Sequence, residues 1–350
     1  MNSIQKGLVI IVSLVLFLGF MAAPAVADQS GLRIPQEVTG DLAYEHVYYL
    51  SEEIGVRVVG TPQEGAAADY IIEQFERMGY EVEVQPFSFV RRGVVYYSEN
   101  IIAIKPGKID QTVIIGAHYD SVSERVCPDI GETSTGAGDN ASGVGVMLEV
   151  AEILTKYKTH GNIIFVAFGA EEVGLEGSQY YADQMSEAEI ANTVTMIDLD
   201  SVGAGDFFYV YAGVDDNPGW ARDLALNIGQ NLGYDLRTSP ESDCFEWGTT
   251  GDWSDHVPFR LLGIPIAYFE WMNWDIEPCG GIETAEYGWI LHECLDNLNF
   301  TKKEKLELTA DVVAALAFAL SKTKLPKPEK GKVAKGNKYI SIMKRTAKLN

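Results

Sequence analysis

The 350 residues are 47% hydrophobic and 22% charged, an ordinary globular composition with room for one large domain or two small ones. The formal net charge of −23 is unevenly placed: the tail 321–350 holds ten Lys/Arg against one Glu, and setting it and the first 27 residues aside leaves −33 on residues 28–321. A body this acidic excludes nucleic acid as a partner and could bind calcium.

The chain opens with Lys6, an apolar core from Gly7 to about Ala23, and the small-residue site Ala25-Val26-Ala27. This is the pattern of a secretory signal peptide (1–27), with cleavage expected before Asp28 and the mature protein extracellular. The apolar core is nearly long enough to span a bilayer, so an uncleaved anchor is the alternative, but the Ala-x-Ala site favours cleavage and no stable membrane insertion. Export exposes Cys127, Cys244, Cys279 and Cys294 to oxidising conditions, where they can form two disulfides in any of three pairings. Four cysteines in so long a chain do not make a disulfide scaffold, and without a CxxC pair a zinc ribbon or redox role is excluded.

Residues 41–59 are expected to be helical, and 62–79 more clearly so. Thr61 to Glu64 spells a capping box with Pro62 at the first helical position, and Tyr70, Ile71, Phe75 and Met78 form an apolar face at helical spacing. After the Gly79-Tyr80 stop come strands at 81–87, near 94–105 and at 112–118. A helix over about 141–157 is followed by strands at 162–168, 193–199 and 207–211. A helix over about 218–232, a strand at 264–269 and a final helix over about 301–321 complete the order. Alternating strands and helices, with no internal repeat and no linker before residue 321, predict one domain over 28–321. Its class is α/β, a three-layer sandwich with a central mixed, mostly parallel sheet flanked by helices. The Lys-rich, Pro-interrupted tail 322–350 is read as a mostly disordered extension able to meet cell wall or another anionic surface.

The run IIFVAF (163–168) fits a central strand covered on both faces, and functional groups in such sheets gather beyond the strands' carboxyl ends. Glu171 and Glu172, just past it, would by themselves suit a helix N-terminus. Two other apolar strands end in the same kind of residue, delivering His118 and Asp120, and Asp198 and Asp200. The glycine-rich loop 136–143 adds Asp139. Residues two apart on a strand share a side, so His118 and Asp120 are expected to face together, with Asp120 orienting a metal-bound His118. Imidazole and carboxylate donors suit zinc, with manganese or cobalt as substitutes. Two divalent ions ~3.5–4 Å apart need a bridging carboxylate, a role open to a loop aspartate such as Asp139. Of the five histidines, His46 and His160 are expected at the surface, and residue chemistry does not rank His256 against His292.

Six motifs, GAHYDS (116–121), GAGDNASG (136–143), FGAEEVGLEGS (168–178), DLDSVG (198–203), SDHVPF (254–259) and HECLD (292–296), give the chain a resemblance to the M28 family of dinuclear zinc aminopeptidases over most of residues 40–320. The resemblance implies a zinc-exopeptidase fold and two zinc ions per chain. His118 and Asp200 would hold one ion, Glu172 and His292 the other, with Asp139 bridging them. Glu171 would be the general base on a water bridging the two ions, and Asp120 the group orienting His118. Asp255 and His256 become second-layer or substrate-side residues. The chain departs from the family where a Tyr before the last histidine is replaced by Leu291, with Tyr287 nearby, and where Cys294 follows that histidine, read as disulfide-bonded. It also has no room between residues 80 and 112 for the protease-associated domain of some relatives.

The resulting expectation is a secreted, monomeric metalloexopeptidase that removes N-terminal residues from peptides, with an apolar preference. The aromatic residues of segment 245–274 could line a pocket, although each taken singly is more readily core packing. The rival readings are a glutaminyl cyclase-like acyltransferase with one zinc, another exopeptidase such as a dipeptidase or carboxypeptidase, and a non-catalytic binding ectodomain on the same fold.

Overall fold

The computed structural model describes residues 38–322 except 215–217, 277, 278 and 280. The expected leader and the tail beyond Lys322 lie outside the described residues. The elements in chain order are α1 (Asp41–Tyr48), continued by a π-helical turn over Tyr49–Ile54, and α2 (Pro62–Arg77). Then come β1 (Glu81–Arg91), β2 (Val94–Lys105), β3 (Ile109–His118) and the two-residue strands β4 (Val126–Cys127) and β5 (Glu132–Thr133). There follow α3 (Ser142–Thr155), β6 (Gly161–Phe168), α4 (Glu176–Gln184), α5 (Glu187–Asn192), β7 (Thr193–Leu199), β8 (Phe207–Tyr211) and α6 (Trp220–Leu232). The last are β9 (Leu236–Arg237), α7 (His256–Leu261), β10 (Ile266–Met272) and α8 (Lys303–Lys322).

Eight strands form one sheet in the order β1-β2-β6-β3-β7-β10-β8-β9. The central run β6-β3-β7-β10 is parallel, and β1, β2 and β8 pair antiparallel at the two flanks. This is the expected mixed, mostly parallel sheet. Alternation along the strands divides two cores. Val113, Ile115 and Ala117 point with Ile163, Phe165 and Ile197 into a large core beneath α1, α2, α3, α6 and α8. Ile114, Val166 and Met196 point the other way, against Phe259 of α7 and flanking residues Tyr181 of α4 and Ile190 of α5. Burial on both faces is why these strands read as unbroken apolar runs.

Three short helices, α4, α5 and α7, were not expected. Each spans nine residues or fewer, too short to display a helical period, although Ser186 and Glu189 form a full capping box for α5. The first helix is shorter than the expected 41–59, ending at Gly55, whose φ of +83° suits glycine. Its N-terminus has no side-chain cap of its own. Instead Glu149, a buried carboxylate on α3, accepts the backbone N–H groups of Thr39, Gly40 and Ala43 at 3.0–3.1 Å. A buried charge is tolerable there because three donors of a helix N-terminus satisfy it.

Candidate metal centre

Strand register gathers the candidate donors. β3 lies between β6 and β7, with His118 opposite Phe168 and Gly116 opposite Asp198. Parallel pairing therefore sets His118 level with Asp200 and beside the turn that carries Glu171. His118 Nε2 is 3.1 Å from Asp139 Oδ1, 3.5 Å from Asp200 Oδ1 and 3.9 Å from Glu171 Oε2. The second oxygen of Asp139 lies 3.0 Å from His292 Nε2, which is 3.1 Å from Glu172 Oε2. Two compact donor groups result, His118–Asp139–Asp200 and Asp139–Glu172–His292, and they share Asp139. A third, His118–Glu171–Glu172, overlaps both.

Asn140 ties the Asp139 loop to the end of β7. Its side-chain nitrogen donates to Leu199 O (2.8 Å) and its oxygen accepts the N–H of Ser201 (3.2 Å), the two residues flanking Asp200, and also the N–H of Gly143 (2.8 Å). Gly143 must be glycine, because a Cβ there would stand 2.2 Å from Leu199 O. Asp120 acts differently from the strand alternation that suggested it. β3 stops at His118, so Asp120 lies beyond the strand end. Its carboxylate still reaches to 3.6 Å from His118 Nδ1, and it accepts the N–H of Glu171 (2.9 Å) and of Glu172 (3.2 Å). One carboxylate thus fixes the backbone of both glutamates and faces the imidazole.

His292 lies in a turn, outside every helix and strand. Two residues on, Cys294 is disulfide-bonded to Cys127, and the other pair is Cys244–Cys279. Of the five non-glycine residues with positive φ among the described residues, three are His292, Ala170 (before Glu171) and Ser201 (after Asp200). Left-handed backbone at such residues costs on the order of 1 kcal/mol each and collects at functional sites.

The remaining expected residues are placed plainly. His256 is buried, its N–H donating to Asp198 Oδ2 (2.8 Å), its Nδ1 3.2 Å from the same oxygen and its ring stacked on Tyr268. Asp255, beside it, is also fully buried. His46 corrects the surface expectation: it is buried, with Nδ1 2.7 Å from Tyr70 Oη, because α1 packs closely between neighbouring helices. His160 is exposed, as expected. Of the aromatic residues at 245–274, Phe259, Tyr268, Phe269, Trp271 and Trp274 are core. Trp247 and Trp253 are exposed, the latter stacked on Trp274. Tyr287 is exposed and packs edge-on against Phe300.

Burial governs the electrostatics of these side chains. Desolvation, reinforced by Asp255 and Asp200 against the pull of His118, pushes Glu171 well above the ordinary carboxylate range. Desolvation and Asp139 raise Glu172 to about 7. Burial works against the charge on Asp139, but the neighbouring imidazoles of His118 and His292 hold it low. His118 is raised despite its desolvation, by Glu171 and Asp200. A buried imidazole nitrogen without a hydrogen-bond partner, converged on by carboxylate oxygens, is an arrangement that a cation would satisfy. The nitrogen and oxygen donors fit zinc.

A model of peptidase family M28 matches residues 100–317. The chain belongs to peptidase family M28. Among curated relatives, the alkaline phosphatase isozyme conversion protein of Escherichia coli (strain K12) is 33% identical over 256 residues, 68% of this chain and 74% of that protein. Aminopeptidase YwaD of Bacillus subtilis (strain 168) is 35% identical over 238 residues, 66% of this chain but only 46% of the relative's length. Among solved structures, the zinc aminopeptidase BSAP from Bacillus subtilis matches with a TM-score of 0.69 at 22% identity, over 87% of this chain and 100% of that one. A glutaminyl cyclase from Porphyromonas gingivalis matches with a TM-score of 0.64 at 25% identity, over 81% and 99%. Both solved structures therefore share the fold found here.

Proposed function

We propose that the protein is a zinc-dependent aminopeptidase that takes N-terminal residues, apolar ones preferred, from peptides. The observation that carries this reading is Asp139, whose two carboxylate oxygens each face a different histidine. His118 and Asp200 would hold one zinc ion, Glu172 and His292 a second, and Asp139 would serve both. Bound zinc supplies positive charge that acidifies water and polarises a carbonyl. Glu171, buried and 3.9 Å from His118 Nε2, takes the proton of the attacking water and returns it to the leaving amine. Asp120 keeps Glu171 and Glu172 in distinct stations by accepting both backbone N–H groups.

The likeness to aminopeptidase YwaD supports the reaction class. The chain's own features support the setting: a leader over 1–27, one peptidase domain over 28–321, a basic tail over 322–350 outside it, and an extracellular, disulfide-bonded product. Among the described residues no helix is long and apolar enough to cross a membrane.

The test is hydrolysis of leucine p-nitroanilide by the purified mature protein, with and without chelator, followed by zinc add-back. Activity lost to the chelator and restored by zinc is expected. The solved glutaminyl cyclase structure favours a second reading, a cyclase with one zinc per chain. Two zinc ions per chain with leucine release would exclude it, while one zinc and cyclisation of N-terminal glutamine would establish it.

A further inference from the structure

We propose that Arg57 is a positioning residue of this centre, locking the Asp139 loop to the end of β3 so that Asp139 and His118 face each other before any metal is bound. The inference rests on the reading of the site as a metal centre. Arg57 lies in the connection between the first helix and α2 and is completely buried. Its guanidinium makes five hydrogen bonds, all to backbone carbonyls. Nε donates to Tyr119 O (2.8 Å) and Nη2 to Gly136 O (2.7 Å), while the two hydrogens of Nη1 are shared among Leu50 O (3.1 Å), Gly55 O (3.0 Å) and Thr135 O (3.0 Å).

The acceptors decide the role. Tyr119 separates His118 from Asp120, and Thr135-Gly136 lead into Asp139. One planar group therefore holds two of the chain segments that carry candidate ligands, those of His118 and Asp139. Its main chain adds to the tie: Arg57 N–H donates to Ser121 Oγ (3.0 Å), and Ser121 N–H donates to Arg57 O (3.2 Å).

The same loop is held from its other side by Asp296. The N–H groups of Thr135 (2.8 Å) and Gly136 (3.2 Å) donate to Asp296 O, and those of Gly138 (2.6 Å) and Asp139 (3.3 Å) to its carboxylate. The carbonyls of residues 135 and 136 go to Arg57 and their amides to Asp296. Gly136, with φ +67°, permits the approach: a Cβ there would stand 2.9 Å from Arg57 Nη2 and 2.7 Å from Ser121 Cβ.

Only arginine meets these demands. Lysine has one nitrogen with three donors and cannot span five carbonyls on separate segments. Arg57 is also a lasting cation among Asp296, Asp120, Asp139 and Glu172. Burial pulls its pKa down to about 10 and these carboxylates oppose the fall, so it stays charged at neutral pH.

The experiment titrates zinc into metal-free wild type, Arg57→Lys and Arg57→Met against a chromophoric chelator, alongside urea unfolding of each protein with and without zinc. Both variants are expected to unfold cooperatively and to bind zinc roughly 10–100-fold more weakly, as for other groups that orient ligands without touching metal. The rise in stability on adding zinc should shrink accordingly, more for methionine than for lysine, which keeps the charge. Metal-free and zinc-loaded curves lowered equally, with zinc affinity unchanged, would reduce Arg57 to a fold residue and overturn the proposal. So would failure of both variants to fold. A wild type that binds no zinc would instead defeat the metal-centre reading, a result distinct from variants that bind as tightly as wild type.

Discussion

The two histidines of the proposed centre are chemically alike and are held by opposite means. His118 ends a strand paired on both sides, is buried, and takes its position from sheet register. His292 lies in a turn with φ +59° and a side chain 55% exposed. Its position depends on Cys294, bonded across 167 residues to Cys127, and on Asp296, which grips the Asp139 loop. A ligand at a strand end is placed by the packing that forms the core. A ligand in a turn needs dedicated ties, and a mutation that leaves the core intact can cut them.

The adjacent glutamates split along the same line, Glu171 beside His118 and Glu172 beside His292. Exchanging Glu171 for Gln should therefore produce the largest effect, a fall in kcat of roughly 10²–10⁴-fold with zinc content unchanged. Glu172→Gln should lower zinc content as well. Metal analysis beside steady-state kinetics separates the two, and turnover near wild type in Glu171→Gln would end its role as the base.

The next effect is on stability. In metal-free protein His118→Ala should cost about 3–5 kcal/mol, because it leaves buried carboxylates without their imidazole. His292→Ala should stay within about 1 kcal/mol, because solvent screens its pairs with Asp139 and Glu172. Urea unfolding of both variants, with chelator present, checks this. Equal losses would mean that the two sides are built alike.

How much could be read beforehand follows the same division. The strand side was legible because buried apolar runs fix where β3, β6 and β7 end, and hence where His118, Glu171, Glu172 and Asp200 fall. The loop side was not. Nothing in the residues around His256 or His292 distinguishes a buried partner of Asp198 from a ligand-like histidine, and only family resemblance chose between them. The pairing of Cys127 with Cys294 was one of three possibilities. His46 was misplaced because one polar residue on a helix looks solvent-facing until its neighbour, Tyr70, is known. Arg57 gave no signal at all, since carbonyl acceptors are backbone and leave no mark in sequence.

The two disulfides offer a sharper test. Replacing Cys127 and Cys294 by Ser should cost about 2–4 kcal/mol and weaken zinc binding on the His292 side. The Cys244–Cys279 pair closes only 35 residues and, among the described residues, neither cysteine belongs to a donor group, so its removal should cost no more stability and leave zinc affinity alone. Affinity unchanged in both double variants would remove the disulfide from the account of how His292 is held.

The smallest expected effect concerns pH and the metal-free protein. Hydrogen bonds to Asp139 and Glu172 raise the His292 pKa from 6.5 to about 11. Below the unfolded value both states carry the proton, so the stabilising interaction is fully present. Between that value and about 11 the unfolded chain has released a proton that the folded chain keeps, so the contribution declines as pH rises and is gone above the folded pKa. Metal-free wild type should therefore lose stability relative to His292→Ala steadily from pH 7 to pH 10. The loss should be small, because solvent screens a half-exposed ring. Zinc must displace this proton, so its affinity should instead rise over the same interval. Parallel pH profiles for the two proteins would mean that the turn does not hold His292 against Asp139 and Glu172 in the absence of metal, and that the loop side of the centre is assembled only on loading.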